Sequence, residues 1–246
     1  MKLKVISTGS IGNAYILENE NEALLIECGV NIMDIKKALN FDFSKVVGCL
    51  VTHEHQDHCK SFDDVMQLGI NTYTGAKTIK AINPDNYHRA MTIASKQIVK
   101  IGNFKVMAFD VKHDAAEPLG FLIEHLECGK VLFLTDTNYC EYTFKGLNNI
   151  IIEANFSKEI IDRKFGSDSG KEFLRNRILK SHFSLENCKD MLAANDLSKV
   201  NNIVLIHLSD SNSNAKQFQQ EVSNLTGKNV TVADKGLTID FNLTPF

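Results

Sequence analysis

Tryptophan is absent from the 246 residues, and proline occurs only three times. So little proline excludes proline-rich linkers and recognition arms, and no low-complexity stretch takes their place. Cysteine is present six times, at 28, 49, 59, 128, 140 and 188, but never as C-x-x-C. That spacing lacks the paired signature of a redox motif or a zinc ribbon, and a chain of this length needs no staples. Reduced core thiols are expected. No window approaches the roughly 18 apolar residues of a membrane span, and the start M-K-L-K-V-I-S-T-G-S lacks the apolar run of a secretory signal. A cytoplasmic protein without membrane contact is the expectation. Charge of one sign is lacking too: 27 basic against 30 acidic residues leave a net −3. A polyanionic partner would therefore have to be held by a local patch and not by the field of the whole molecule.

Short apolar runs fill the first half. K-L-K-V-I-S, A-Y-I-L-E and A-L-L-I-E-C-G read as strands around the Gly-bearing turn T-G-S-I-G-N. V-V-G-C-L-V-T, K-Q-I-V-K-I, F-K-V-M-A-F-D-V, G-F-L-I-E-H-L, V-L-F-L-T-D and I-I-I-E-A-N continue the series. Helical spacing marks 31–39, 62–68 and 76–82, and the second half adds 159–161, 170–180, 184–195 and 214–225. Ser184 is placed to cap a helix whose apolar stripe is Leu185, Cys188, Met191 and Leu192. N-I-V-L-I-H-L is one more buried strand, and V-T-V-A with L-T-I-D-F is expected to close the chain as a hairpin. No linker interrupts the sequence, so residues 1–246 are expected to form one layered α/β domain.

The chemistry concentrates in V-T-H-E-H-Q-D-H, where His53, His55, Asp57 and His58 follow a buried strand. If the strand continued, His53 and His55 would share a direction, while Asp57 and His58 would turn toward a second point. Imidazole suits zinc, iron and manganese, and a carboxylate adds an oxygen donor able to bridge two ions. Such a site needs further donors, and they stand at the ends of later apolar runs: His113, Asp136 and His207. Taken singly, each reads as a turn or core hydrogen bond. Together they complete two metal positions without surplus. His182, in K-S-H-F-S, is not needed as a ligand; it either packs at a helix start or protonates a leaving oxygen. His88 and His125 have no constellation around them.

These motifs resemble the signature of the metallo-β-lactamase superfamily, and within it the YycJ/WalJ (VicX) group. S-T-G-S-I-G-N-A-Y, H-D-A-A-E-P-L-G-F, T-D-T-N-Y, I-E-A-N, S-H-F-S and H-L-S occur in the order of that group. The resemblance implies a four-layer αββα sandwich with two divalent ions, zinc or manganese with iron as a further option. His53, His55 and His113 would hold one ion, Asp57, His58 and His207 the other, and Asp136 would bridge them. Asp57 and His182 are the candidate catalytic residues, His182 matching the histidine that nuclease branches keep near the scissile phosphate. The implied activity is a phosphodiesterase using a metal-bridging hydroxide, most of all a 5′-to-3′ exonuclease on double-stranded DNA. A phosphodiesterase of small or cyclic nucleotides is the alternative, and a non-catalytic metal-binding scaffold comes third. Glu27 replaces the family's aspartate in L-L-I-D-x-G, K-S-H-F-S replaces R-G-H-L-S, and S-D-S-N-S-N follows His207 where the group carries a lysine. Between 156 and 181, seven Lys/Arg (158, 163, 164, 171, 175, 177, 180) face four acids (159, 162, 168, 172), a local +3 that offers contacts to phosphate.

Overall fold

The computed structural model describes residues 1–85, 87–165 and 172–244. The apolar runs sort into two seven-stranded sheets because each buried strand sends alternate side chains to opposite faces. The first sheet contains β1 (Lys2–Ser7), β2 (Ala14–Glu18), β3 (Ala23–Ile26), β4 (Val46–Leu50), β5 (Thr72–Thr74) and β6 (Ala90–Thr92) in spatial order. The second runs β7 (Ile98–Ile101), β8 (Phe104–Asp110), β9 (Leu119–His125), β10 (Gly129–Leu134), β11 (Leu147–Glu153), β12 (Asn202–Ile206) and β13 (Asn229–Val232). On β2, Tyr15 and Leu17 enter the core between the sheets, while Ala14 and Ile16 enter the outer one. On β10, Val131 and Phe133 point inward, and Leu132 and Leu134 pack outward. Strands buried on both faces read as continuous apolar runs, which is why the sequence shows so little strict alternation.

Helices cover both outer faces. Helices α1 (Ile32–Ala38), α2 (Gln56–Cys59) and α3 (Phe62–Gln67) bury Ile35, Cys59, Phe62 and Val65 against the first sheet. After α4 (Ala76–Ile82) come α5 (Lys158–Phe165) and α6 (Glu172–Ser181), and α7 (Leu185–Ala193) and α8 (Ala215–Thr226) cover the second sheet through Leu185, Cys188, Phe218 and Val222. The result is the αββα sandwich. Ser184 caps α7 by accepting the Asn187 amide at 3.1 Å, as its position implies. Helix α5 is longer than the three residues expected, and residues 170 and 171 of the expected 170–180 helix lie outside the described ones. All six cysteines are buried and free. Among the described residues, no helix is long and apolar enough to cross a membrane.

The expected terminal hairpin does not form. β13 joins β12 in parallel in the second sheet, and β14 (Thr238–Asp240) pairs antiparallel with β1 in the first. The turn between them therefore crosses from one sheet to the other, a choice made by which sheet edge is open and not by local alternation. In both sheets an antiparallel half meets a parallel half: β3, β4, β5 and β6 are parallel neighbours, as are β10, β11, β12 and β13. Ligand crevices in such sheets lie beyond the carboxyl ends of the parallel strands. The ends of β4, β10, β11 and β12 are where His53, Asp136, Glu153 and His207 stand.

Candidate metal centre

β4 stops at Leu50, so His53 and His55 are not alternate residues of a strand. The chain instead leaves the sheet in extended form, and His55 becomes the residue before α2, which carries Asp57 and His58. The two histidines still converge, with His53 Nε2 3.0 Å from His55 Nδ1. His113 lies three residues beyond β8 and brings its Nε2 to 3.1 Å from the same His55 nitrogen. A second group forms beside the first. His58 Nε2 is 2.6 Å from Asp136 Oδ2 and 3.4 Å from Asp57 Oδ2, and His207 Nε2 is 3.3 Å from Asp57 Oδ2. Asp136 Oδ2 also lies 3.5 Å from His53 Nε2, so one carboxylate touches both groups.

The outward-facing atoms fix these rings. Ser181 O accepts from His113 Nδ1 at 2.7 Å, which leaves the His113 Nε2 lone pair aimed at His55. His53 Nδ1 meets Thr52 Oγ1 at 2.9 Å, and His58 Nδ1 faces Glu27 Oε1 at 3.3 Å. Backing partners of this kind set tautomer and ring orientation for metal ligation. Glu27 is fully buried and adopts a φ of 62°, so the longer side chain in place of an aspartate still reaches the ring. Asp136 (φ 43°) and His207 (φ 54°) also hold left-handed backbone, a cost accepted where the surroundings over-determine a side chain's direction. Gly29 is required beneath α2: a Cβ there would lie 1.8 Å from Asp57 O.

Three ring nitrogens converging in the first group, and two carboxylates with two imidazoles in the second, leave more acceptors than protons to share. Each group places its donor atoms within 4.8 Å of one another. This donor chemistry fits divalent ions that accept nitrogen and oxygen. Burial pushes the His53 and His113 pKa values down, which keeps these imidazoles neutral and able to donate a lone pair. Burial opposes charge on His58 as well, but Asp136 and Glu27 outweigh it and hold that pKa well above the ordinary value. For Asp57, burial favours the acid form; the His207 and His58 rings overcome it and hold the carboxyl far below its usual range.

His182 belongs to a different layer of the site. Its Nδ1 lies 2.8 Å from Glu153 Oε1 and 3.1 Å from Asp136 Oδ1, while the other Glu153 oxygen accepts the Phe183 amide at 3.2 Å. Burial resists the imidazolium, yet Glu153 and Asp136 raise its pKa to about 10. The ring lines a cleft of about 350 Å³ together with His55, Asp57, His113 and Asp136. All eight candidates are thus brought together. His125 is buried at the end of β9 and pairs with Glu22 at 3.1 Å, and His88 is exposed; neither approaches this cleft.

Several contributors carried no role in the sequence. Glu153 stood in a recognised motif, but nothing in I-E-A-N says that its carboxylate is buried against His182. Asn13 donates from Nδ2 to Asp57 O and sits 3.3 Å from His58 Nε2, and Asn155 Nδ2 lies 2.9 Å from His207 Nδ1. Glu54 accepts the Ala116 amide at 2.7 Å, and Glu117 accepts the Lys77 amide at 2.7 Å. Those two carboxylates anchor the loop that carries His113. The basic stretch is less free than its charge implies. Arg163 pairs with Glu159 at 2.7 Å, Arg175 pairs with Asp162 at 2.6 Å, and Lys164 bonds Asn212 Oδ1 at 3.0 Å. Lys171 and Asp168 lie outside the described residues.

An αββα sandwich with a His/Asp cradle at the carboxyl ends of its parallel strands defines a class of metallohydrolase. The family description "Beta-lactamase superfamily domain" matches residues 23–208, and the chain belongs to that superfamily. It is a metal-dependent hydrolase of this kind. Over 98% of its length it is 29% identical to exodeoxyribonuclease WalJ of Streptococcus pneumoniae serotype 2 (strain D39 / NCTC 7466), covering 93% of that protein. Over 91% of its length it is 27% identical to exodeoxyribonuclease YycJ of Bacillus anthracis, covering 88% of it. The metallo-beta-lactamase fold protein YhfI from Bacillus subtilis superposes with a TM-score of 0.70 at 15% identity, over 97% of this chain and 99% of that one.

Proposed function

We propose that the protein is a dinuclear phosphodiesterase acting as a nuclease, with 5′-to-3′ removal of nucleotides from double-stranded DNA as its preferred reaction. The observation that carries this reading is the contact of Asp136 with both donor groups beside a pocket-lining His182. His53, His55 and His113 would hold one ion, Asp57, His58 and His207 the other, with Asp136 shared. Zinc and manganese both suit this donor set, and iron is accommodated by it. When bound, two such ions supply a nucleophile at neutral pH and neutralise charge on a phosphoryl group.

The chain's own residues supply the rest. Glu153 and Asp136 together hold a proton on His182 Nδ1, which leaves Nε2 as the nitrogen able to hand a proton to the leaving oxygen. Asp57 contributes negative charge that keeps His58 and His207 oriented. The names of the two relatives, matched over nearly the whole chain, support DNA as the polymer. A single domain spanning 1–246 agrees with both ends of the chain entering the first sheet.

A second reading keeps the chemistry and takes a small or cyclic nucleotide. It draws on the cleft's modest volume of about 350 Å³ and on the pairing of Arg163 and Arg175 within the basic stretch. A panel of end-labelled double- and single-stranded DNA, RNA and cyclic nucleotides, with Mn²⁺ or Zn²⁺ added, decides between them. Release of the 5′ label from duplex DNA in the first turnover, ahead of any 3′ label, is the expected outcome. Turnover of cyclic nucleotides alone would replace the nuclease reading, and no hydrolysis of any phosphodiester would favour the scaffold.

A further inference from the structure

Tyr139 is 55% exposed, three residues after Asp136, on a turn that the metal cradle does not use. Scattered apolar side chains are ordinary at protein surfaces, but this one is held in place. Thr137 is fully buried, and its Oγ1 accepts the Lys112 amide at 3.1 Å and donates to Tyr139 O at 2.8 Å. The Asn138 amide donates to Lys112 O at 3.1 Å, and Asn187 Nδ2 donates to Asn138 O at 2.7 Å. The turn is thus tied on one side to the strand end that precedes His113 and on the other to α7. Asp136, three residues before Tyr139, and His113, next to Lys112, both line the cleft, so the turn is continuous with two of its lining residues.

A cation accompanies the ring. Lys112 Nζ lies over one face of the Tyr139 ring, 5.8 Å from its centroid, and pairs with the Glu141 carboxylate. Both partners of that pair are more than half exposed, and such pairs are weakly held, so a phosphate can displace the carboxylate. An aromatic face with an adjacent ammonium matches the alternation of base and phosphate along a nucleic-acid strand. Because the turn is already ordered, little conformational freedom is lost when a base settles on it.

We propose that Tyr139 is a stacking platform for a nucleobase next to the scissile phosphodiester, with Lys112 reaching the neighbouring phosphate. This inference rests on the nuclease reading above and specifies which residues grip the polymer outside the metal cradle. It makes Tyr139 a binding residue, so its loss acts on substrate affinity more than on turnover.

The experiment compares wild type, Tyr139→Ala, Tyr139→Phe and, as a control, Tyr87→Ala, each loaded with Mn²⁺ and acting on an end-labelled DNA duplex. Tyr87 is the other strongly exposed tyrosine, at 53%, and stands in the 87–89 turn ahead of β6. Tyr139→Ala should raise KM about tenfold, a loss typical of one base–aromatic stack, while kcat changes less than twofold. Tyr139→Phe and Tyr87→Ala should stay within about twofold of wild type, since a phenyl face stacks as well. A second series removes single bases, leaving tetrahydrofuran sugars, from each of the terminal nucleotides in turn. At one position, base removal should cost wild type what Tyr139→Ala costs, and should cost the Tyr139→Ala enzyme nothing further. Independent, additive losses at every position would overturn the proposal, as would a Tyr139→Phe enzyme as weak as Tyr139→Ala. If wild type cleaves no DNA, the nuclease reading fails and takes this inference with it. If wild type cleaves DNA and Tyr139→Ala cleaves it equally well, only this inference fails.

Discussion

Glu153 Oε1 lies 2.8 Å from His182 Nδ1, and the carboxylate that makes this contact has no exposed surface. A buried carboxylate of this kind fixes both the ring plane and the proton on its near nitrogen. His182→Ala should keep both metals and lose about 10²–10⁴ in rate, the usual worth of a positioned acid. The loss should be largest for poor leaving groups and small for a nitrophenyl ester, whose leaving oxygen needs no proton. Glu153→Gln should show the same dependence with a smaller loss. Equal losses across a leaving-group series would remove His182 from the proton-transfer role.

Asp136 is the only carboxylate in contact with histidines of both donor groups among the described residues, through His53 on one side and His58 on the other. Asp136→Ala should abolish turnover and lower metal content toward one ion per chain. Asp57→Ala should do the same, because Asp57 faces only His58 and His207. Elemental analysis of the purified variants reads this directly. Two undisturbed ions in Asp136→Ala would sink the bridging assignment.

The loop carrying His113 is latched by two carboxylates from different elements. Glu54, between His53 and His55, accepts Ala116 N, and Glu117 accepts Lys77 N at the start of α4. Gly75 leaves room for the second latch, since a Cβ there would come within 2.8 Å of the Glu117 carboxylate. Glu117→Ala and Gly75→Ala should weaken binding of the ion proposed at His53, His55 and His113 by about 10–100-fold, the scale of backing-group losses. The ion at Asp57, His58 and His207 should be retained. Competition with a graded chelator resolves the two affinities, and Glu54→Gln should rescue what Glu54→Ala loses. A parallel loss at both ions would mean that the latch supports the whole fold and not this ligand.

Most of the candidate donors that converge were legible because each stands where a buried apolar run stops, and a run of three histidines and an aspartate has few structural uses. The αββα class followed from the same runs together with the family likeness. What the sequence hid was whatever depends on contacts between distant segments. Glu153, Glu54 and Asn155 look like ordinary polar residues until the ends of β11, α2 and β12 are brought side by side. The terminal hairpin failed for a related reason, because β13 and β14 are each claimed by a different sheet edge. The +3 of the 156–181 stretch already counts Glu159 and Asp162; what composition could not show is that these two acids pair with Arg163 and Arg175.

Away from the cleft, Glu22 is buried beside His125 and bonded to the exposed Asn103. Its Oε1 lies 3.1 Å from His125 Nε2 and accepts Asn103 Nδ2 at 2.8 Å, while Oε2 accepts the Asn103 amide at 2.9 Å. Burial alone would raise this carboxyl's pKa, but the Asn103 donors and His125 outweigh it and leave the pKa lowered. A carboxyl lowered on folding binds its proton more weakly in the native state than in the unfolded chain. Its contribution is therefore fully present above the unfolded value of about 4.3 and is lost as pH falls through the lower folded value. Glu22→Gln should destabilise the protein near pH 7, and the gap to wild type should close on acidification below about pH 4. Urea midpoints of both proteins across that range, each stripped of metal with chelator, measure it. A gap that stays constant down to the acid limit would show that Glu22 acts through packing and neutral hydrogen bonds and not through its charge.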